Sequence, residues 1–176
     1  MTIGNPVTAA IGRQLGASID MLDNAMAACP DALWDDGSGA HAFWYFAFHT
    51  LFWLDLYLSE SAEGFTPPAP FTLDETDPAG VMPERVYSKD ELQAYLEHCR
   101  RKCRVTIAAL TDETAGRRFR SFEGSSGFWT DVTIGEMLLY NLRHVQHHAA
   151  QLNLILRQSV DDAPRWVART KGALEG

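Results

Sequence analysis

Hydrophobic residues recur every three to four positions in four stretches of the chain, and the ends of these stretches carry the signals that start and stop helices. The first stripe, Ile11, Leu15, Ile19, Leu22 and Met26, predicts a helix capped by Asn5, opened by Pro6 and stopped near Cys29, because Pro30 follows. The second stretch runs from about Ser38 or Gly39 to Leu58 or Ser59 and is apolar on nearly every side. A helix of that kind is either central to a bundle or half covered by a partner chain. The third opens on Ser88-Lys-Asp-Glu91 and should reach Leu110 or Thr111; the fourth opens on Thr133-Ile-Gly-Glu136 and should reach about Gln158. In both openings the hydroxyl and the carboxylate can each take a backbone N–H that the helix start leaves free.

Two stretches break the periodicity. Residues 60–87 contain Pro67, Pro68, Pro70, Pro78 and Pro83 and cannot be regular helix. A link this long suits a compact fold if it crosses the bundle or walls a site, and a crossover is the more economical of the two. Residues 112–131, with Phe119, Phe122, Phe128 and Trp129, form a second irregular link with room for a short hairpin. Beyond Gln158 the chain carries Pro164 and Trp166, and the indole is expected to pack back on the bundle. No strand alternation is long enough for a sheet, and no repeat is visible. The expected fold is all-α, a four-helix bundle with a long crossover between helices 2 and 3. The length of 176 residues suggests one domain over 1–176.

Composition narrows the partners. A net charge of −8 argues against nucleic acid, so the basic cluster Arg100-Arg-Lys-Cys-Arg104 reads as a solvated helix face. No apolar stretch reaches the roughly 20 residues of a spanning helix, so no membrane partner is expected. With no secretory or lipidation signal in view, a cytoplasmic protein is the expectation. Cys29, Cys99 and Cys103 make an odd set suited to a reducing compartment. Cys99 and Cys103, one turn apart with His98 beside them, could bind a soft metal, but the adjacent arginines and lysine would repel a cation and small buried residues are the better reading. Around the second helix, Phe43, Trp44, Tyr45, Phe46, Phe48, Phe52 and Trp53 offer more aromatic surface than one bundle face readily covers, which leads us to expect a homodimer.

The most specific chemistry lies in Asn141-Leu-Arg-His-Val-Gln-His-His-Ala-Ala-Gln151. At 100° per residue His144 and His148 lie about 40° apart on one helical face, so two imidazoles can share an ion. A third ligand is needed for an enclosed site, and His49, isolated in the apolar run of the second helix, is the best candidate. Asn141, His144, His148 and Gln151 form a polar stripe on a helix that otherwise wants burial; unpaired buried polar groups are costly, so these should share a purpose. His147 points away from the pair and reads as a surface or supporting side chain, His41 as peripheral and His98 as solvated. Neutral imidazoles suit zinc, nickel, copper or iron, and three of them leave a position open to water or substrate.

With a first helix ending in Pro-Asp-Ala-Leu-Trp34, then Ala47-Phe-His49-Thr-Leu-Phe-Trp-Leu-Asp-Leu-Tyr-Leu58, and later His144-Val-Gln-His147-His148-Ala-Ala-Gln-Leu152, the chain resembles the DinB-like superfamily, which includes YfiT-type proteins classed as metal-dependent hydrolases. The resemblance follows helix order through most of the chain. It implies a four-helix bundle whose metal is held by one histidine of the second helix and a later His-x-x-x-His pair, roles that fall on His49, His144 and His148. Ala149-Ala150 stands where many relatives carry a bulkier or charged pair.

The resemblance also implies a divalent transition metal, zinc or nickel first, and a small-molecule substrate. The leading functional expectation is a metal-dependent enzyme that transfers a low-molecular-weight thiol, with hydrolysis a close variant. The alternative is a non-catalytic metal- or ligand-binding stress-response module. No catalytic side chain is singled out: no carboxylate near the histidine motif is an obvious general base, and Arg143 and Arg157 are only candidate anchors for an anionic substrate. A haem or di-metal bundle is disfavoured because Glu-x-x-His pairs are absent.

Overall fold

The computed structural model describes residues 6–37 and 42–170. Helix α1 (Pro6–Ala28) stops where Pro30 is two residues away, and a short α2 (Asp31–Trp34) turns the chain. Next come α3 (Phe43–Tyr57), α4 (Lys89–Ala109), a short α5 (Asp112–Gly116) and α6 (Ile134–Val160). Among the described residues no strand forms beyond isolated bridges, and no helix is long and apolar enough to cross a membrane. The expected Asn5 cap and the Ser38 or Gly39 start lie outside the described residues; the second long helix is seen from Phe43 onward.

Capping chemistry sets the later helix starts. At α4 the Glu91 N–H donates to Ser88 Oγ at 3.2 Å and the Ser88 N–H to Glu91 Oε2 at 2.8 Å, closing the expected box. At α6 only half of the box forms, the Glu136 N–H donating to Thr133 Oγ1 at 3.2 Å. A third cap, unforeseen, uses Thr111 and Thr114 to nucleate α5 inside the link expected to be irregular. That helix takes up part of the length expected to hold a hairpin; the remainder makes single bridges, Ser61 with Arg120 and Arg118 with Thr133.

The four long helices form an all-α bundle in which α1 packs on α6 and α4, and α3 packs on the same two from the opposite side. Apolar residues such as Leu15, Leu22, Leu51, Leu54, Leu96 and Leu152 are fully buried between them. The crossover from α3 to α4 lays its aromatic residues over α3. Phe71 stacks on Tyr95 at 4.4 Å and lies 5.8 Å from Phe48; Phe65 meets Phe52 edge-on at 5.5 Å. Phe43, Trp44, Phe48 and Phe52 are therefore buried within one chain. Four of the seven aromatic side chains whose surface suggested a homodimer are thus covered within the chain, while Tyr45, Phe46 and Trp53 are half-buried.

Two expectations are corrected. Trp166 is 68 % exposed; its neighbour Val167 faces the bundle instead and directs its N–H at Met21 Sδ. The basic cluster of α4 is not simply solvated. Arg100 reaches across to α1, donating to Asp20 at 2.5 Å and Asp23 at 2.7 Å. Lys102 reaches the buried Asp55 of α3 at 2.6 Å and also donates to Ser59 Oγ, while Tyr95 donates its hydroxyl to the other Asp55 oxygen. His98 keeps 38 % of its side chain exposed, in keeping with the expectation, and stands 3.4 Å from Asp55. Periodicity shows which face a charge lies on, but not that an acid waits on the neighbouring helix.

Removing one partner of a buried ion pair leaves the other charge uncompensated, so Lys102→Met is expected to destabilise the fold by about 3 kcal/mol. Adding Asp55→Asn should return part of that loss. Urea unfolding of the single and double variants measures both, and a single-variant loss below about 0.5 kcal/mol would show that the pair is not holding α3 to α4.

The α4 cap gives a pH dependence. Hydrogen bonds from Arg85, then from the Ser88 backbone, lower the Glu91 pKa from 4.5 to about 2. A depressed acid stabilises the folded state fully above its unfolded value, and that contribution disappears as pH falls through the folded value. The stability difference between wild type and Glu91→Gln should thus be present at neutral pH and shrink between about 4.5 and about 2. A difference that is flat with pH would contradict it.

Candidate metal centre

α3 and α6 run side by side, and each offers imidazoles to the space between them. His49 Nε2 lies 3.5 Å from His144 Nε2, and the His148 ring centroid is 4.9 Å from that of His49 and 4.6 Å from that of His144. One ligand atom from each of the three lies within 4.8 Å of the others; among the described residues this is the group of histidine, cysteine or carboxylate side chains that could hold an ion. Tetrahedral bonds of about 2.1 Å put ligand nitrogens about 3.4 Å apart. The His49–His144 separation matches that spacing.

The far nitrogens show how two of the rings are held. Glu75 Oε2 meets His49 Nδ1 at 2.6 Å, and because a carboxylate can only accept, the proton sits on Nδ1. In the neutral ring this leaves the Nε2 lone pair facing the other histidines. Gln151 Oε1 makes the equivalent contact to His148 Nδ1, also at 2.6 Å. His144 Nδ1 is buried without a hydrogen-bond partner. Of the polar stripe on α6, His144, His148 and Gln151 thus serve the cluster, whereas Asn141 donates to the Leu54 carbonyl at 3.1 Å and joins α6 to α3.

Burial, then the neighbouring imidazoles His148 and His49, pushes the His144 pKa down to about 3. Burial, then His49, pushes His148 down to about 4. In the ion-free protein both rings are neutral near pH 7, the form that donates a lone pair to a metal. For Glu75, whose side chain is 3 % exposed, burial alone would raise the pKa; hydrogen bonds and charge from His49, with Tyr45 and Trp53, outweigh it and hold the carboxyl below its usual range.

Aromatic rings wall the cluster. Tyr45 and Trp53 flank His49, each at 6.3 Å between centroids; Phe46 lies 6.2 Å from His148 and Tyr57 lies 5.8 Å from His144. Burial, then the nearby Tyr140 hydroxyl, raises the Tyr57 phenol pKa. The other histidines stay out of the group. His147 is exposed, as expected, and His41 falls outside the described residues. Arg143 and Arg157 are exposed on α6. Cys29, Cys99 and Cys103 are all buried free thiols; burial raises Cys29 to about 11 and Cys103 to about 12, and Cys99 well above its usual value.

Along the chain no carboxylate near the histidine motif is an obvious general base; in space one carboxylate, Glu75, stands behind His49. Glu75 sits on a single 3-10 turn, Asp74–Thr76, within the proline-rich crossover, 26 residues from His49. No periodicity marks it, and its acidic neighbours Asp74 and Asp77 look the same in sequence.

No curated protein and no solved structure matches the chain. The model of the DinB superfamily matches residues 14–152, a span that begins within α1 and contains all three clustered histidines. The chain belongs to the DinB superfamily.

Proposed function

We propose that His49, His144 and His148 hold one divalent transition ion, zinc or nickel, at the centre of a metal-dependent enzyme that transfers a low-molecular-weight thiol to a small-molecule substrate. The observation that carries this reading is the convergence of three imidazoles from two helices, with ligand atoms within 4.8 Å of one another. The unpartnered, buried His144 Nδ1 adds to it, since a buried polar ring is costly unless something is gained by its placement.

When bound, an ion with three neutral ligands keeps its full charge and can acidify a thiol or a water. The chain supplies the rest. Glu75 and Gln151 orient two of the rings, and Tyr45, Phe46, Trp53 and Tyr57 line the cluster with aromatic side chains. In the transfer a sulfur–carbon bond forms, the thiol proton passes to solvent, and the leaving group departs with its electron pair. Hydrolysis is the variant in which water replaces the thiol. One observation favours the alternative, a non-catalytic metal- or ligand-binding module: Glu75 is engaged by His49 and Trp53, and so is not a free base.

Protein purified without an affinity tag should carry one equivalent of divalent metal, and His49→Ala or His148→Ala should lower occupancy at least tenfold. Elemental analysis measures this. A full equivalent of tightly bound metal in His49→Ala would mean that the centre is elsewhere.

Screening of metal-loaded protein with several cellular thiols and a chromogenic electrophile should give a rate above buffer that His148→Ala abolishes. Equal rates for wild type, variant and buffer would favour the binding module.

A further inference from the structure

Nearly all of the crossover lacks regular structure, yet one of its side chains is among the most tightly held groups at the cluster. The 3-10 turn that carries Glu75 is closed by its own short-range bonds: the Thr76 N–H donates to the Leu73 carbonyl at 2.9 Å and the Asp77 N–H to the Asp74 carbonyl at 3.0 Å. Side chains brace it further, Thr72 donating to Asp74 Oδ2 at 2.5 Å and Thr76 to the Leu73 carbonyl at 2.7 Å. Glu75 projects from this turn onto α3, where Oε2 accepts from His49 Nδ1 at 2.6 Å and from Trp53 Nε1 at 3.0 Å. The two donors are four residues apart on α3 and so lie on one face, about a turn from each other.

An isolated buried carboxylate is expensive, and here Oε1 has no partner at all. Packing alone would be served better by an apolar residue, since the crossover already anchors Phe65, Phe71 and Tyr87 on the bundle. What a carboxylate adds is a fixed proton on His49 Nδ1 and, with it, a fixed lone pair on Nε2, the atom 3.5 Å from His144 Nε2. Negative charge one ring away also makes that imidazole a stronger donor.

We infer that Glu75 is a positioning residue for the metal centre: it fixes His49 as an Nε2 ligand and couples the crossover to the ion, so that loading the centre stiffens residues 72–80. The inference rests on the proposed metal centre. Coupling is reciprocal, so whatever affinity Glu75 adds for the ion, the ion adds to the docking of the turn.

The test uses the whole protein with zinc. In competition with a chelator, Glu75→Ala should bind zinc 10- to 100-fold more weakly than wild type, the usual loss for an outer carboxylate behind a ligating histidine. Glu75→Gln, whose amide oxygen can still accept the Nδ1 proton, should lose less, and Glu84→Gln, a change at an exposed carboxylate of the same segment, should lose nothing. Nitrogen-15 shifts of the His49 ring in the zinc-loaded protein should show a protonated Nδ1 and a bound Nε2 in wild type and Glu75→Gln. Zinc should slow hydrogen exchange at the Thr76, Asp77 and Gly80 amides in wild type and leave it unchanged in Glu75→Ala. Wild-type zinc affinity together with wild-type exchange in Glu75→Ala overturns the inference; should that variant not fold, the same result in Glu75→Leu, which likewise has no acceptor for the Nδ1 proton, does so. Failure of the underlying reading looks different: wild type then takes up no zinc, or His148→Ala binds it as tightly as wild type.

Discussion

Imidazole is a poor core residue, and the bundle half-buries His144 and His148 among apolar and aromatic side chains, where desolvation outweighs the support that Gln151 and Glu75 offer a positive charge on His148. Desolvation penalises the charged form, so the rings there are forced neutral and into one tautomer or another. The structure resolves the choice at two of three rings by placing an acceptor behind Nδ1: a carboxylate from outside the helices for His49, an amide one turn further along the same helix for His148. These contacts aim the remaining nitrogens inward. Without them the cluster would be three weak hydrogen-bonding groups with no common direction.

The helices that present these rings are held from behind by different means. α6 meets α3 through the Asn141 amide and a run of buried apolar residues, while α4 meets α3 through Lys102, Tyr95 and Asp55. The placement of His49 thus depends on contacts on both sides of α3, only one of which involves the site. Directional bonds of this kind matter more on α3 than elsewhere, because a helix that is apolar all round has no stripe to fix its rotation.

Much of this was legible in the sequence. The 3–4 spacing and the Pro30, Ser88 and Thr133 signals place the long helices to within a residue or two at most of the described ends, and the 3.6-residue period puts His144 and His148 together without any knowledge of the fold. Membership in the DinB superfamily was legible from the same residues in order. What stayed hidden depends on contacts between segments far apart in the chain. Glu75 and the covering of α3 by Phe65 and Phe71 need the path of a link that has no period to read, and the Asp55 end of the Lys102 bond needs the way α3 and α4 face each other. Trp166 shows the converse: a large apolar side chain near a terminus suggested burial, but its neighbour took the inward position.

Both helices that supply the imidazoles are regular, and the carboxylate is supplied by a segment that is not. This divides the protein into a part whose geometry tolerates little change and a part that is free to drift. Doubling the length of a flexible link costs only about 0.6 kcal/mol in closure entropy, so insertions on either side of Asp74–Thr76 are cheap provided that the turn still reaches α3. The crossover can therefore vary in length and sequence while α3 and α6 keep the three imidazoles in place, so long as the turn still brings Glu75 to His49.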